Sequence, residues 1–319
     1  MRFKRLLAIA SDKERFVALD DYIGFARNFL EFAADGLQAV IVSRNEPHYN
    51  FWQYKQDGCY NVTRPINSNL MFTAANGGDA LADFISVLSS LRDPSTNTPA
   101  NRVLMNRAVY SIQQCIGAAL DALPAGKSNT ARKINGDLFE RLIRLLLLRL
   151  GVDCTSGVVT VPVKVDGQVA FAMSYQHDLI IKSGDVVRVI GSVKTTSKDR
   201  IDKIFLDKFL FNRLTSTQVP HIAIFLNDVQ RKNAANPREY GVNATFLPGH
   251  FKGYTVKLNP LDGVYYCDIR PNMQTEPILR DHIRTFDHLL FDDLWELLTR
   301  DAVVAQVTKL PPGGTVSVG

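Results

Sequence analysis

Two apolar runs, VVTVPVKV (158–165) and QVAFAMSY (168–175), are separated by the single dipeptide Asp166-Gly167. A two-residue Asp-Gly connection between strand-like runs is a strong short-range hairpin signal, because both turn positions need positive φ. The pairing of the two strands then dictates what can surround them. Upstream, DLFERLIRLLLLRLG reads as a strongly apolar helix from Gly136, closed by Gly151 as a C-cap. Downstream come strands over 178–182 and 186–194, with a Ser183-Gly184-Asp185 turn between them. A helix follows with Ile201, Ile204, Phe205, Phe209 and Leu210 on its apolar side, then the buried-type strand HIAIFL (221–226). A helix, a β-meander, a helix and a further strand predict an α/β core with a mixed central sheet flanked by helices.

The N-terminal third reads differently. Helical spacing recurs over 15–40, 78–92 and 102–122, whereas residues 44–67 are aromatic, polar and turn-rich. PAGKSNTARKING (124–136) reads as a linker or binding loop. The expected organisation is a helix-rich region over 1–125, a core over 126–300 and a flexible tail over 301–319. No internal repeat is visible.

Composition removes several classes. Hydrophobic residues make up 46% of 319, enough for a sizeable core. Cys59, Cys115, Cys154 and Cys267 form no CxxC pair and read as buried thiols in a reducing compartment. The six histidines have no zinc spacing. The apolar patch after the basic N-terminus is too short for a signal peptide, and no run approaches the ~18 residues of a membrane span. A cytoplasmic protein without a membrane partner is expected. Ala-Gly-Lys-Ser at 125–128 is not a P-loop, since that pattern needs glycine where Asp121 stands, so no nucleotide cofactor is expected.

The stretch HDLIIKSGDVVRVIGSVKTTSKDRIDKIFLDKF (177–209) carries the chemistry. Asp178 opens one strand, and Ser192-Val193-Lys194 closes the next. Asp207 follows Lys194 by thirteen positions, on the helix. This order resembles the PD-(D/E)XK superfamily, and within it the Type II restriction endonucleases of the EcoRII, PspGI, PfoI and NgoMIV group. There the second acidic ligand has migrated from the strand to the following helix. The resemblance implies a prokaryotic enzyme that hydrolyses phosphodiester bonds of double-stranded DNA with Mg²⁺. It implies Asp178 and Asp207 as metal ligands, Lys194 as the water-handling residue, and Glu140 in a second-metal or supporting role. Relatives with the same spacing have Glu where this chain has Asp207. Taken singly, these residues also fit plainer roles: Asp178 at a strand edge, Asp207 paired with Arg200 or Arg213, Glu140 paired with Arg144.

The same resemblance bears on the target. Lys198-Asp199-Arg200 matches a cluster that reads adjacent C:G pairs, which implies a short site such as CCGG, CCNGG or CCWGG. Arg132, Lys133 and Asn135 are candidate DNA contacts. Trp52 or Phe51 is a candidate stacking wall for an extruded base, with Arg44 or Arg64 near the phosphates. A symmetric site implies a homodimer. The rival readings are a nonspecific or structure-selective repair nuclease, and a DNA-binding module whose centre is dead because Ser192 lacks a carboxylate.

Overall fold

The computed structural model describes residues 3–56, 59–198, 200–232, 239–300, 307–308 and 316–318. The chain divides into two compact units, one of Met1–Leu146 with Leu226–Phe246 and the other of Leu147–Phe225 with Leu247–Gly319. The first division, between Leu146 and Leu147, falls inside the helix Ser128–Arg149.

In the first unit, α1 (Phe3–Ser11) and α2 (Leu19–Gly36) lead into four short strands: β1 (Leu37–Val42), β2 (Tyr49–Gln56), β3 (Cys59–Val62) and β4 (Ile66–Asn67). β2 pairs antiparallel with the other three, so the aromatic stretch is sheet as well as turn. Tyr49 and Phe51 are both buried, as residues two apart on one strand face must be. Then come α3 (Ala74–Ser89), α4 (Pro99–Leu120) and α5 (Ser128–Arg149). Arg64 is fixed at the end of α4, its guanidinium paired with both carboxylate oxygens of Asp121 at 3.0 and 2.8 Å.

The helix α5 starts at Ser128, so Arg132, Lys133 and Asn135 stand on its first turns and not on a loop. A glycine inside a helix costs about 1 kcal/mol against alanine, and tertiary contacts around Gly136 offset it. Gln113 Nε2 donates to Asn135 at both its carbonyl (3.0 Å) and its Oδ1 (2.9 Å). Lys13 pairs with Asp137 at 2.7 Å, and the Tyr22 hydroxyl donates to the Leu138 carbonyl at 3.0 Å.

The second unit is built on a mixed sheet. β5 (Asp153–Val165), β6 (Gln168–Ser183) and β7 (Val186–Thr196) form an antiparallel meander, followed by α6 (Ile201–Thr215) and β8 (His221–Asn227). The chain next forms the small hairpin of β9 (Val229–Arg231) and β10 (Val242–Ala244), then α7 (Pro248–Lys257), β11 (Gly263–Tyr266) and β12 (Ile283–Thr285). β8, β11 and β12 run parallel to one another. With β13 (Val307–Thr308) and β14 (Val316–Val318) the order is β12-β11-β8-β7-β6-β5-β14-β13. The remainder of the expected tail lies outside the described residues. At the hairpin tip Asp166 and Gly167 have φ of 52° and 81°, the conformation that the dipeptide predicts. β8 is buried at every position, as a strand in the interior of a mixed sheet covered on both faces is.

Among the described residues no helix is long and apolar enough to cross a membrane. Among the described residues Cys115, Cys154 and Cys267 are buried and form no disulfide.

The face of the meander beneath α6 forms a core of Val159, Val161, Tyr175, Ile180, Val187, Ile190, Phe211 and Val219. Two histidines sit in its midst. His177 and His221 both make edge contacts with Phe211 and lie 6.3 Å apart, ring to ring. Burial lowers His177 to about 4 and His221 to about 3, so both rings are neutral in the fold. Unfolding releases them to an ordinary value near 6.5, so the unfolded chain binds the extra protons. Their contribution is therefore complete above about pH 6.5 and is lost as the pH falls toward 4. Unfolding in denaturant should show stability falling by a few kcal/mol between pH 7 and pH 4. In a His177→Phe/His221→Leu double variant that acid slope should flatten.

Candidate active site

The pairing of β5 with β6 slips by one residue beside Asp178. Thr155 pairs with Ile180 while Gly157 pairs with His177, so Ser156 alone stands opposite Asp178 and Leu179. Two residues against one is a β-bulge, and bulges re-aim side chains. Tyr175 and Ile180 lie in the same core cluster although regular alternation over five residues would place them on opposite faces. Leu179 points the other way, onto Gly191, where an added Cβ would come within 3.1 Å of the Leu179 Cβ. Asp178 lies in the bulge itself, and its contact with Lys194 of β7, on the face of Ile190, sets its carboxylate on the side covered by α6.

On β7, Ser192 and Lys194 share the face of Ile190, which packs beneath α6. Asp178 Oδ2 accepts the backbone N–H of Val193 at 2.8 Å and also the Lys194 ammonium. Asp178 is nearly buried and Lys194 partly so, and the pair bridges the two neighbouring strands. The sequence predicts two strands, over 168–175 and 178–182, where the structure has the single strand β6 with Asp178 in its interior, and the fold brings Asp178 and Lys194 into direct contact.

The third candidate arrives from above. Asp207 lies one helical turn before Phe211 on α6, so both face the sheet. Its Oδ2 accepts from Lys203 Nζ at 2.5 Å, and neither Arg200 nor Arg213 is its partner in that contact. Asp207 is close enough to act on two residues of β6. Burial and then Asp207 raise the Tyr175 hydroxyl. At His177 burial dominates downward, Asp207 and then Asp178 oppose it, and Lys203 adds to it. Both carboxylates therefore bear on the ring at the bulge. The sequence did not single out Lys203 or the bulge. The i,i+4 spacing of Lys203 and Asp207 was visible, but a one-residue slip in pairing leaves no compositional trace.

The remaining candidates stand as follows. Glu140 is half-buried on α5 in the first unit. Lys198 and Arg200 are exposed between β7 and α6, and Arg200 occupies the residue before the helix. Asp199 lies outside the described residues. Arg132 and Lys133 are exposed on α5. Asn135 is corrected: it is 3% exposed and held by Gln113, so its amide is spent inside the fold. Phe51 is also corrected as a stacking wall, being enclosed by Tyr49, Val229, Val242 and Tyr240 with no exposed surface. Trp52 is half-buried beside Phe29 and lines an apolar cavity of about 290 Å³ with Leu30, Met71 and Phe72. Arg64 is committed to Asp121, and Arg44 pairs with Glu239 at 2.7 Å. Among the described residues no group of three or more His, Cys, Asp or Glu side chains is arranged to hold a metal ion.

No family model matches the chain, and no curated protein matches it. Among solved structures, its fold is similar to the crystal structure of the Type IIP restriction endonuclease Kpn2I, with a TM-score of 0.65 and 17% identity. The likeness covers 93% of this chain and 97% of that one, so the shared feature is an entire α/β fold.

Proposed function

We propose that this protein is a Type II restriction endonuclease that cleaves double-stranded DNA at a short CC/GG-containing site with Mg²⁺. The observation that carries the reading is the contact between Asp178 and Lys194, with Asp207 of α6 bearing on the same sheet face. The likeness to Kpn2I over nearly the whole of both chains agrees with it.

The donor set suits Mg²⁺, which binds through one or two carboxylates and keeps several waters, so a third protein ligand is not required. Both hydrogen bonds to Asp178 fall on Oδ2, and Oδ1 is the oxygen that neither donor uses. Asp178 and Asp207 would hold the ion, with Glu140 in a supporting or second-metal role. When bound, Mg²⁺ supplies positive charge to the phosphate and lowers the pKa of its bound water. The Val193 N–H and the Lys194 ammonium hold the Asp178 carboxylate in place. Lys194 orients the attacking water and offsets the negative charge that builds on phosphorus-bound oxygen as one P–O ester bond breaks.

Arg200 and Lys198, with Asp199, are assigned to the base edges, where an arginine bonds guanine O6 and N7 bidentately. Arg132 and Lys133 are assigned to the phosphate backbone. A symmetric target calls for two copies of the chain, each cutting one strand. Trp52 remains the candidate for stacking on an extruded base.

Incubating the protein with unmethylated phage DNA, with and without Mg²⁺, and sequencing the fragment ends tests this directly. Discrete, Mg²⁺-dependent ends centred on CC/GG are expected. A smear would mean a nonspecific nuclease, and binding without cutting a dead centre. Lys194→Ala should lower the cleavage rate by at least about a hundredfold while DNA binding survives. Asp207→Ala should also abolish cleavage, and wild-type cutting by that variant would remove it from the ligand set. Arg200→Ala should relax base choice, at a cost of about 1–3 kcal/mol of discrimination. Lys133→Ala should weaken all sequences alike and reduce the salt slope of binding by about one.

A further inference from the structure

Lys203 has no part in the reading above, yet its ammonium sits 2.5 Å from Asp207 Oδ2. As a helix stabiliser it is badly placed. It is the third residue of α6, at the end where the helix macrodipole disfavours cations. It also precedes its acidic partner by four residues, the weaker of the two orders for an i,i+4 pair. The lysine side chain is 68% exposed and the aspartate side chain 27%, so the ammonium approaches the carboxylate from the solvent side.

The same arrangement recurs at the other carboxylate. Asp178 is neutralised by Lys194, as Asp207 is by Lys203. Two carboxylates bearing on one sheet face repel each other unless cations stand between or beside them. Here one ammonium serves each. They differ in burial: Lys194 is 29% exposed and bridges strands, whereas Lys203 is held by little beyond the pair itself. An exposed ion pair of that kind is weak and yields readily to a stronger cation.

We propose that Lys203 is the exchangeable counter-ion of Asp207: it occupies the carboxylate until a divalent cation takes it over, and then turns out to solvent. Lys203 thereby sets how tightly the centre holds its metal. The inference rests on the nuclease reading, because it requires Asp207 to be a metal ligand.

Mn²⁺ binding to the full chain without DNA, followed by the electron paramagnetic resonance of the free ion, separates the possibilities. Lys203→Gln should bind Mn²⁺ about two- to fivefold tighter than wild type, with the gain shrinking at high salt. Lys203→Arg keeps the charge and should bind like wild type, while Asp207→Asn should bind more weakly. If Lys203→Gln leaves Mn²⁺ affinity unchanged while Asp207→Asn still weakens it, the exchange is wrong and the nuclease reading stands. A lowered melting temperature in Lys203→Gln with unchanged affinity makes Lys203 a structural residue only and overturns the proposal. If wild type binds no Mn²⁺, or binds it regardless of Asp207, the ligand assignment falls and the exchange falls with it.

Discussion

Of the two slips between β5 and β6, the one beside Asp178 is the constraint on which the candidate centre depends. Without it, strict alternation would send His177 and Tyr175 to the face opposite Asp178. With it, they share one side with Ile180, Ile190 and Phe211, and α6 covers them together. The bulge therefore joins two things that a regular strand keeps apart, the apolar footing of the helix and the carboxylate beside it. Gly191 completes the arrangement from β7, because a Cβ there would come within 3.0–3.3 Å of Leu179 and Ile222, a tight fit to which those side chains would have to give way.

The electrostatics follow from the same placement. A nearly buried carboxylate is costly unless paired, and Asp178 has both a backbone N–H and an ammonium to satisfy it. Burial keeps both histidines neutral, at His177 against the opposing pull of Asp207 and Asp178. A rigid, apolar floor under a charged rim results. Such a floor holds first-contact residues in place without supplying charge of its own.

Much of this was legible in the chain. Asp166-Gly167 predicted the hairpin, since few residue pairs tolerate two positive φ values in succession. HIAIFL predicted a fully buried strand, and the order Asp178, Lys194, Asp207 predicted which elements would carry charge. Other features were not legible, for identifiable reasons. Gly136 and the polar run before it read as loop because helix propensity is local, whereas Gln113, Lys13 and Tyr22, which hold those turns, come from far away in sequence. Asn135 looked like a surface amide for the same reason. In the aromatic stretch, Tyr49 and Phe51 did alternate, but the short strands and turn residues around them masked the period. The bulge was invisible because it belongs to a pairing and not to a residue.

That last point gives the hairpin tip an unexpected importance. Asp166-Gly167 sets which residues pair at the tip, a first slip between Val163 and Lys164 resets the count, and the slip at Ser156 resets it again. The face on which Asp178 emerges is thus decided jointly by a turn eleven residues away and by the two slips that lie between them. Substitutions along the outer hairpin leave that count unchanged, and the chain can vary there freely. A single inserted or deleted residue changes it, and a slip such as the one at Ala170 must then absorb the change for the aspartate to keep its place.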